Sequence, residues 1–229
     1  MMKRTDFFNK ENRTSFFLNF LAVVLGIVIT FGGDAFLSRR EENKNLSNCL
    51  ELVASELDGN LKEIAYCDSL FRQEMHAAYF LIRYEDDYSQ APADSLEAFA
   101  NTPFTKAEFK TDTDAFELLK NSGVLTRIKD KTLALDIFRA YGELQGVIMF
   151  CGMFYDHKEK FIGPAMNDEV KTLLSSNEIT APDLWTAMSS TKEGRQYLRE
   201  ILRFLSSYNS SYAHSLVSTT ISEISEYVK

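Results

Sequence analysis

Residues 46–82 read LSNCLELVASELDGNLKEIAYCDSLFRQEMHAAYFLI. Apolar side chains recur at Leu46, Leu50, Val53, Leu57, Leu61, Ile64, Cys67, Phe71, Met75, Ala78 and Ile82. Steps of three and four place them on one face of an α-helix, and the pattern holds for about ten turns. Gly59-Asn60 is the one weak point inside it. Such a stripe needs a partner, either other helices of the chain or a neighbouring copy. The stretch therefore selects an all-α fold and sets the search for helices on both sides of it.

Downstream, residues 86–94 (DDYSQAPAD) form a loop broken by Pro92, and Asp94 or Ser95 can cap a short helix over 96–101. A second short helix is expected over 114–121, with Gly123 just past its end. A long helix follows over 131–160, with Leu133, Ile137, Ala140, Leu144, Val147, Cys151 and Phe154 on one face and Gly163-Pro164 as its stop. Pro182 opens a short helix over 182–189 that carries Trp185 as a packing anchor. Residues 192–227 read as a final helix with Leu198, Ile201, Leu205, Tyr208, Tyr212, Leu216, Ile224 and Tyr227 on one side. No segment shows the sustained alternation of a strand. The expectation is an antiparallel helical bundle with coiled-coil-like seams.

Upstream, residues 16–33 (FFLNFLAVVLGIVITFGG) carry no charge, and Asp34 is the first. As a helix this run covers ~27 Å, enough with its extension to Leu37 to cross the hydrocarbon core of a bilayer. A secretory signal would be about half as long. The organisation expected is a basic tail at 1–14, a transmembrane helix at 15–37 and an all-α soluble domain at 38–229. Lys3, Arg4, Lys10 and Arg13 precede the span, and Arg39, Arg40 and Lys44 follow it. That balance leans toward the N-terminus inside an inner (cytoplasmic) membrane and the soluble domain in the periplasm. Asn19, Ala22, Gly26, Thr30 and Gly33 share one face of the span. The small residues permit close backbone approach and Asn19 and Thr30 can hydrogen-bond across the seam, which points to a membrane-helix association face.

The composition sets further bounds. The chain has 229 residues with 33 acids against 25 bases, a net charge of −8, with 10 Gly, 4 Pro and 3 Cys. These values exclude a disordered chain, a collagen-like chain and a disulfide scaffold, and the acidic balance argues against nucleic acid as a partner. The charge is unevenly placed. Residues 1–15 carry four bases and two acids, whereas the remainder carries 21 bases and 31 acids.

Candidate chemistry is sparse. Arg72, Glu74 and His76 lie within about one turn, and with His157 they are the only arrangement suggesting acid–base work between helices. A solvated helix face is the favoured reading. Cys151, Asp156, His157 and Glu159 offer ligand atoms, but Cys151 belongs to the apolar face and the others to the opposite arc, so no metal or other cofactor is expected. Of Cys49, Cys67 and Cys151, the pair Cys67 and Cys151 lies on helices that can be neighbours, and one disulfide at most can form in an oxidising compartment. The favoured reading keeps all three as buried thiols. No phosphate-binding glycine loop or hydrolase signature appears.

The span FFLNFLAVVLGIVITF (16–31), the helix LVASELDGNLKEI (52–64) and above all AFELLKNSGVLTRIKD (115–130) resemble a family of uncharacterised single-span membrane proteins of Bacteroidota-type bacteria. The likeness covers residues 15 to about 150. It departs after the span, where the family often has an Asn-Trp pair and this chain has DAFLSRREE (34–42). The resemblance implies location and architecture and carries no activity. The expected role is thus a non-enzymatic, membrane-anchored helical protein, a homo-oligomer or a scaffold for another membrane protein. An oligomeric membrane effector or pore, and an enzyme with a site between helices, are the alternatives.

Overall fold

A computed structural model of the protein describes residues 10–176 and 180–229, with side chains described for 21–25, 40–176 and 180–229. The chain divides into two units, Met1–Cys49 and Leu50–Lys229. Helix α1 runs Lys10–Arg83. It is followed by α2 (Ala93–Ala100), α3 (Asp114–Asn121), α4 (Lys131–Ala165), α5 (Asp168–Leu174), α6 (Ala181–Ser189), α7 (Lys192–Leu205) and α8 (Ser211–Tyr227). The fold is all-α, with no strand among the described residues.

In the first unit, Leu21, Ala22, Val23, Val24 and Leu25 are all exposed on α1. Among the described residues no helix is long and apolar enough to cross a membrane. Apart from 21–25, the side chains of the expected span at 15–37 lie outside the description.

The second unit is a bundle of three rods. The first is α1 over residues 50–83: Leu50, Val53, Leu57, Asn60, Ile64, Cys67, Phe71, Glu74, Ala78 and Leu81 form its buried seam, and Ala77 is buried beside it. The steps along the seam alternate strictly between three and four, the 3.5-residue repeat of a coiled-coil seam. This corrects the stripe read from hydropathy. Leu61, Met75 and Ile82 are only partly buried. The seam passes instead through Asn60 and Glu74, each 2% exposed. A pattern of apolar letters passes over polar side chains that are buried because they have found partners.

The second rod, α4, buries Leu133, Ile137, Ala140, Leu144, Val147, Cys151, Phe154 and Lys158 with the same alternation. The two rods meet level by level: Tyr141 bonds Glu56, Cys151 faces Cys67, and Lys158 bonds Glu74, at separations of 85, 84 and 84 residues. Both numbers rise together, so α1 and α4 run parallel. The antiparallel arrangement expected for these neighbours is therefore corrected. Parallel helices need a long return, and residues 84–130 supply it by running back beside α1, with Asp112 at Asn60 and Ala115 at Glu56.

The third rod is α7 followed by α8, which opposes α4. His157 meets Glu200, Phe154 meets Phe204, Phe150 meets Tyr208 and the Lys129 amide meets Tyr227. The single helix expected over 192–227 is broken at residues 206–210. The break shifts the helical phase. Beyond it Ala213, Val217, Thr220 and Ile224 are buried, while Tyr212 is left 62% exposed. Helix α6 closes the far end of the bundle. Its Trp185 is fully buried, stacks on Phe104 at 5.3 Å and donates Nε1–H to the Ala100 carbonyl at 3.1 Å.

Candidate functional site

The described part of the sequence-derived association face is Ala22, which is exposed. Asn19, Gly26, Thr30 and Gly33 lie outside the described side chains. The acid–base trio does not converge. Glu74 is buried in the seam, His76 is exposed, and His157 packs on Phe161 and Phe204 with Nε2 at 3.2 Å from Glu200. The ligand-type residues of α4 also disperse: Cys151 faces Cys67, Asp156 is exposed and Glu159 lies 4.0 Å from Lys106. Among the described residues no group of three metal-ligating side chains forms.

The structure places its polar chemistry elsewhere, at four levels of α1. At the first, Glu56 accepts the Ala115 amide at 2.7 Å, the Phe116 amide at 3.2 Å and the Tyr141 hydroxyl. Helix α3 receives no capping bond from its own N-cap residue, Thr113, so α1 supplies the acceptor from outside the helix. One turn on, Asn60 and the backbone of Asp112 exchange two hydrogen bonds of 2.8 Å. This pair holds the return segment flat against α1.

At the third level, Asp68 fastens the interrupted third rod. It accepts the Tyr208 hydroxyl at 2.6 Å and the Ser210 hydroxyl at 2.8 and 2.9 Å, and lies 3.0 Å from His214 Nε2. The α7–α8 break is thus built on a single carboxylate of another rod. Burial, followed by the bond to Asp68, pushes the Tyr208 phenol far above its ordinary range, so it stays a donor.

At the fourth level, Glu74 and Lys158 form a buried ion pair at 2.5 Å, and Lys158 also donates to the Thr105 carbonyl at 2.8 Å. Burial raises the Glu74 pKa against the opposing charge of Lys158. Burial likewise lowers that of Lys158 against the support of Glu74. Each group therefore depends on the other for its charge. Glu74 Oε2 is buried without a hydrogen-bond partner. Beside the pair lies a cavity of about 170 Å³ lined by Pro103, Phe104, Thr105, Tyr155, Lys158 and Tyr197. Between the third and fourth levels Phe71 makes edge contacts with Phe154 and Tyr208, with centroids 5.0 and 4.7 Å apart, and separates the two carboxylates with a hydrocarbon layer.

Comparison with protein-family models, curated proteins and solved structures finds no match for this chain. The chemistry of these four levels is that of fastening. The polar residues of α1 tie the return segment, α4 and the third rod to the same helix. Sequence reasoning passed over Glu56, Asn60, Asp68 and Lys158, since each looks like an ordinary solvated position until its distant partner is known. Asn60 and Lys158 left a trace, because each falls on the four-three spacing of its helix's buried face.

Proposed function

We propose that the protein is a single-span, membrane-anchored helical scaffold that acts by binding rather than by catalysis. Residues 15–37 cross the bilayer, the basic tail stays on the cytoplasmic side, and the acidic helical part lies beyond the inner membrane, in the periplasm of a Gram-negative cell. Copies associate through Asn19, Ala22, Gly26, Thr30 and Gly33, or the same face receives another membrane protein. The observation that carries this reading is the uncharged run 16–33, set within a helical backbone and flanked by bases on both sides. Two further features support it. Leu21 to Leu25 are exposed without exception. The buried and half-buried polar groups of α1 hold segments of the chain together. The resemblance of residues 115–130 to the uncharacterised single-span family points the same way.

Carbonate extraction of membranes holding the full chain tests the anchor. Retention in the pellet is expected, with release when residues 15–37 are deleted. Extraction of the full chain into the supernatant overturns the reading. A C-terminal alkaline phosphatase fusion is expected to be active. Cross-linking in membranes should weaken on Gly26→Leu, and unchanged cross-linking moves the contact away from the span.

A further inference from the structure

Cys67 lies on the α1 seam and Cys151 on the α4 seam, both closed to solvent at 0% and 1% exposure. Because the two rods run parallel with one register, these positions share a level, as Glu74 and Lys158 do two turns further on. Their sulfurs are 2.7 Å apart, about 0.7 Å beyond a disulfide bond length. Two cysteines that serve merely as small apolar fillers have no reason to point at each other. Here the seams of two helices, far apart in sequence, aim both Cβ–Sγ bonds at one point.

We propose that Cys67 and Cys151 are a disulfide site that covalently joins α1 to α4. The bond forms by exchange with a disulfide donor, either a small-molecule disulfide or a disulfide-bearing oxidoreductase. One chain thiolate attacks a donor sulfur, which releases one donor thiol and leaves a mixed disulfide. The second chain thiolate then attacks the chain's own sulfur and releases the second donor thiol. Two thiol protons and two electrons pass to the donor, which leaves as two thiols. Burial dictates when this happens. No donor reaches the pair once α4 lies on α1, so exchange precedes closure, and the finished bond is shielded from reductants. Cys49 is only partly buried and stays free. The bond would close a separation of 84 residues, which spans the whole return segment, and loops of that size gain most from a cross-link.

The test uses the full chain in detergent, refolded with oxidised and reduced glutathione, so it does not depend on where residues 15–37 reside. The protein is denatured in excess alkylating agent, digested with trypsin and weighed. One alkylated cysteine, Cys49, is expected, together with a cross-linked peptide joining residues 63–72 to 140–158. Prior reduction should give three alkylated cysteines. The Cys49→Ser chain should show the same cross-link and no alkylation, and the oxidised form should melt above the reduced one. Three alkylated cysteines without reduction, or a cross-link that uses Cys49, overturn the proposal.

Discussion

The Glu56 carboxylate of α1 caps helix α3 across 59 residues of sequence, accepting the Ala115 amide at 2.7 Å. Its other oxygen takes the Phe116 amide and the Tyr141 hydroxyl, so one side chain joins the first rod, the return segment and the second rod. Glu56→Ala exposes two helix-terminal amides and leaves the Tyr141 hydroxyl without its acceptor. A loss of about 2–3 kcal/mol is expected, because bonds to a charged acceptor are among the stronger ones. Urea unfolding reads the loss, and hydrogen exchange should accelerate first in α3. Unchanged exchange there would show that α3 does not lean on Glu56.

Glu74 and Lys158 should be worth little as a pair and cost much when split. Lys158→Met strands a buried carboxylate, and Glu74→Gln strands a buried ammonium, each at about 3–5 kcal/mol. Glu74→Leu combined with Lys158→Met removes both charges and should recover most of the loss. Denaturant midpoints of the three variants decide the matter, and simple addition of the two single losses would sink it.

The two single variants should respond to pH in opposite senses. Burial already raises Glu74 above its unfolded value of 4.5, and losing Lys158 raises it further. The folded carboxyl then holds a proton that the unfolded one has shed, so stability falls as pH rises from 4.5 through the folded value. Lys158→Met is thus least impaired in acid and most impaired at neutrality. Burial lowers Lys158 below 10.5, and losing Glu74 lowers it further. The folded amine then sheds its proton before the unfolded one does, so the deficit of Glu74→Gln shrinks as pH rises from the folded value toward 10.5. Unfolding midpoints across acidic to alkaline buffers measure both trends.

Asp68→Ala should loosen the third rod at its interruption. The change removes the acceptor for Tyr208 and Ser210 and the partner of His214, at a cost of about 3 kcal/mol. The amides of residues 205–214 should exchange faster than those of α4. Uniform acceleration along the chain would instead mean that Asp68 supports global stability only.

Gly194→Ala is expected to be severe. A Cβ at this position of α7 would lie 1.8 Å from the Met188 carbonyl oxygen and 2.7 Å from its carbon. Backbone cannot swing aside as a side chain can, so the α6–α7 corner must shift, at about 3 kcal/mol. Gly142→Ala is the control, since nothing lies within 4 Å of a Cβ there. It should be neutral or slightly stabilising, because alanine is the better helix former.

Short-range rules made much of this protein legible. Helix α3 falls on 114–121 as its flanking signals indicate, and Gly123 past its end adopts a φ of 70°. Asp130 starts α4 by accepting the Thr132 and Leu133 amides. The Ser-Ser-Tyr-Asn-Ser run at 206–210 carried the composition of a loop and was outweighed by the apolar spacing on either side. Asn167 followed by Asp168 and Glu169 likewise carried a helix-start signal for α5, where none was expected.

What the chain determined by itself is therefore whatever depends on neighbours within a turn or two: the all-α class, most helix limits, the apolar face of α4 and most of that of α1, and the uncharged run at 16–33. Only the tertiary structure decided that α1 and α4 run parallel, that Asn60, Glu74 and Lys158 lie in the core, and that Tyr212 faces out. Each of these rests on a partner 40 or more residues away or on a phase shift at a break. Hydropathy assigns Asn, Glu and Lys to water because it measures the cost of burying them alone. Paired burial reverses that assignment, and the Glu74–Lys158 pair, 84 residues apart in sequence, exists only once the return segment has brought α4 back to the start of α1's seam.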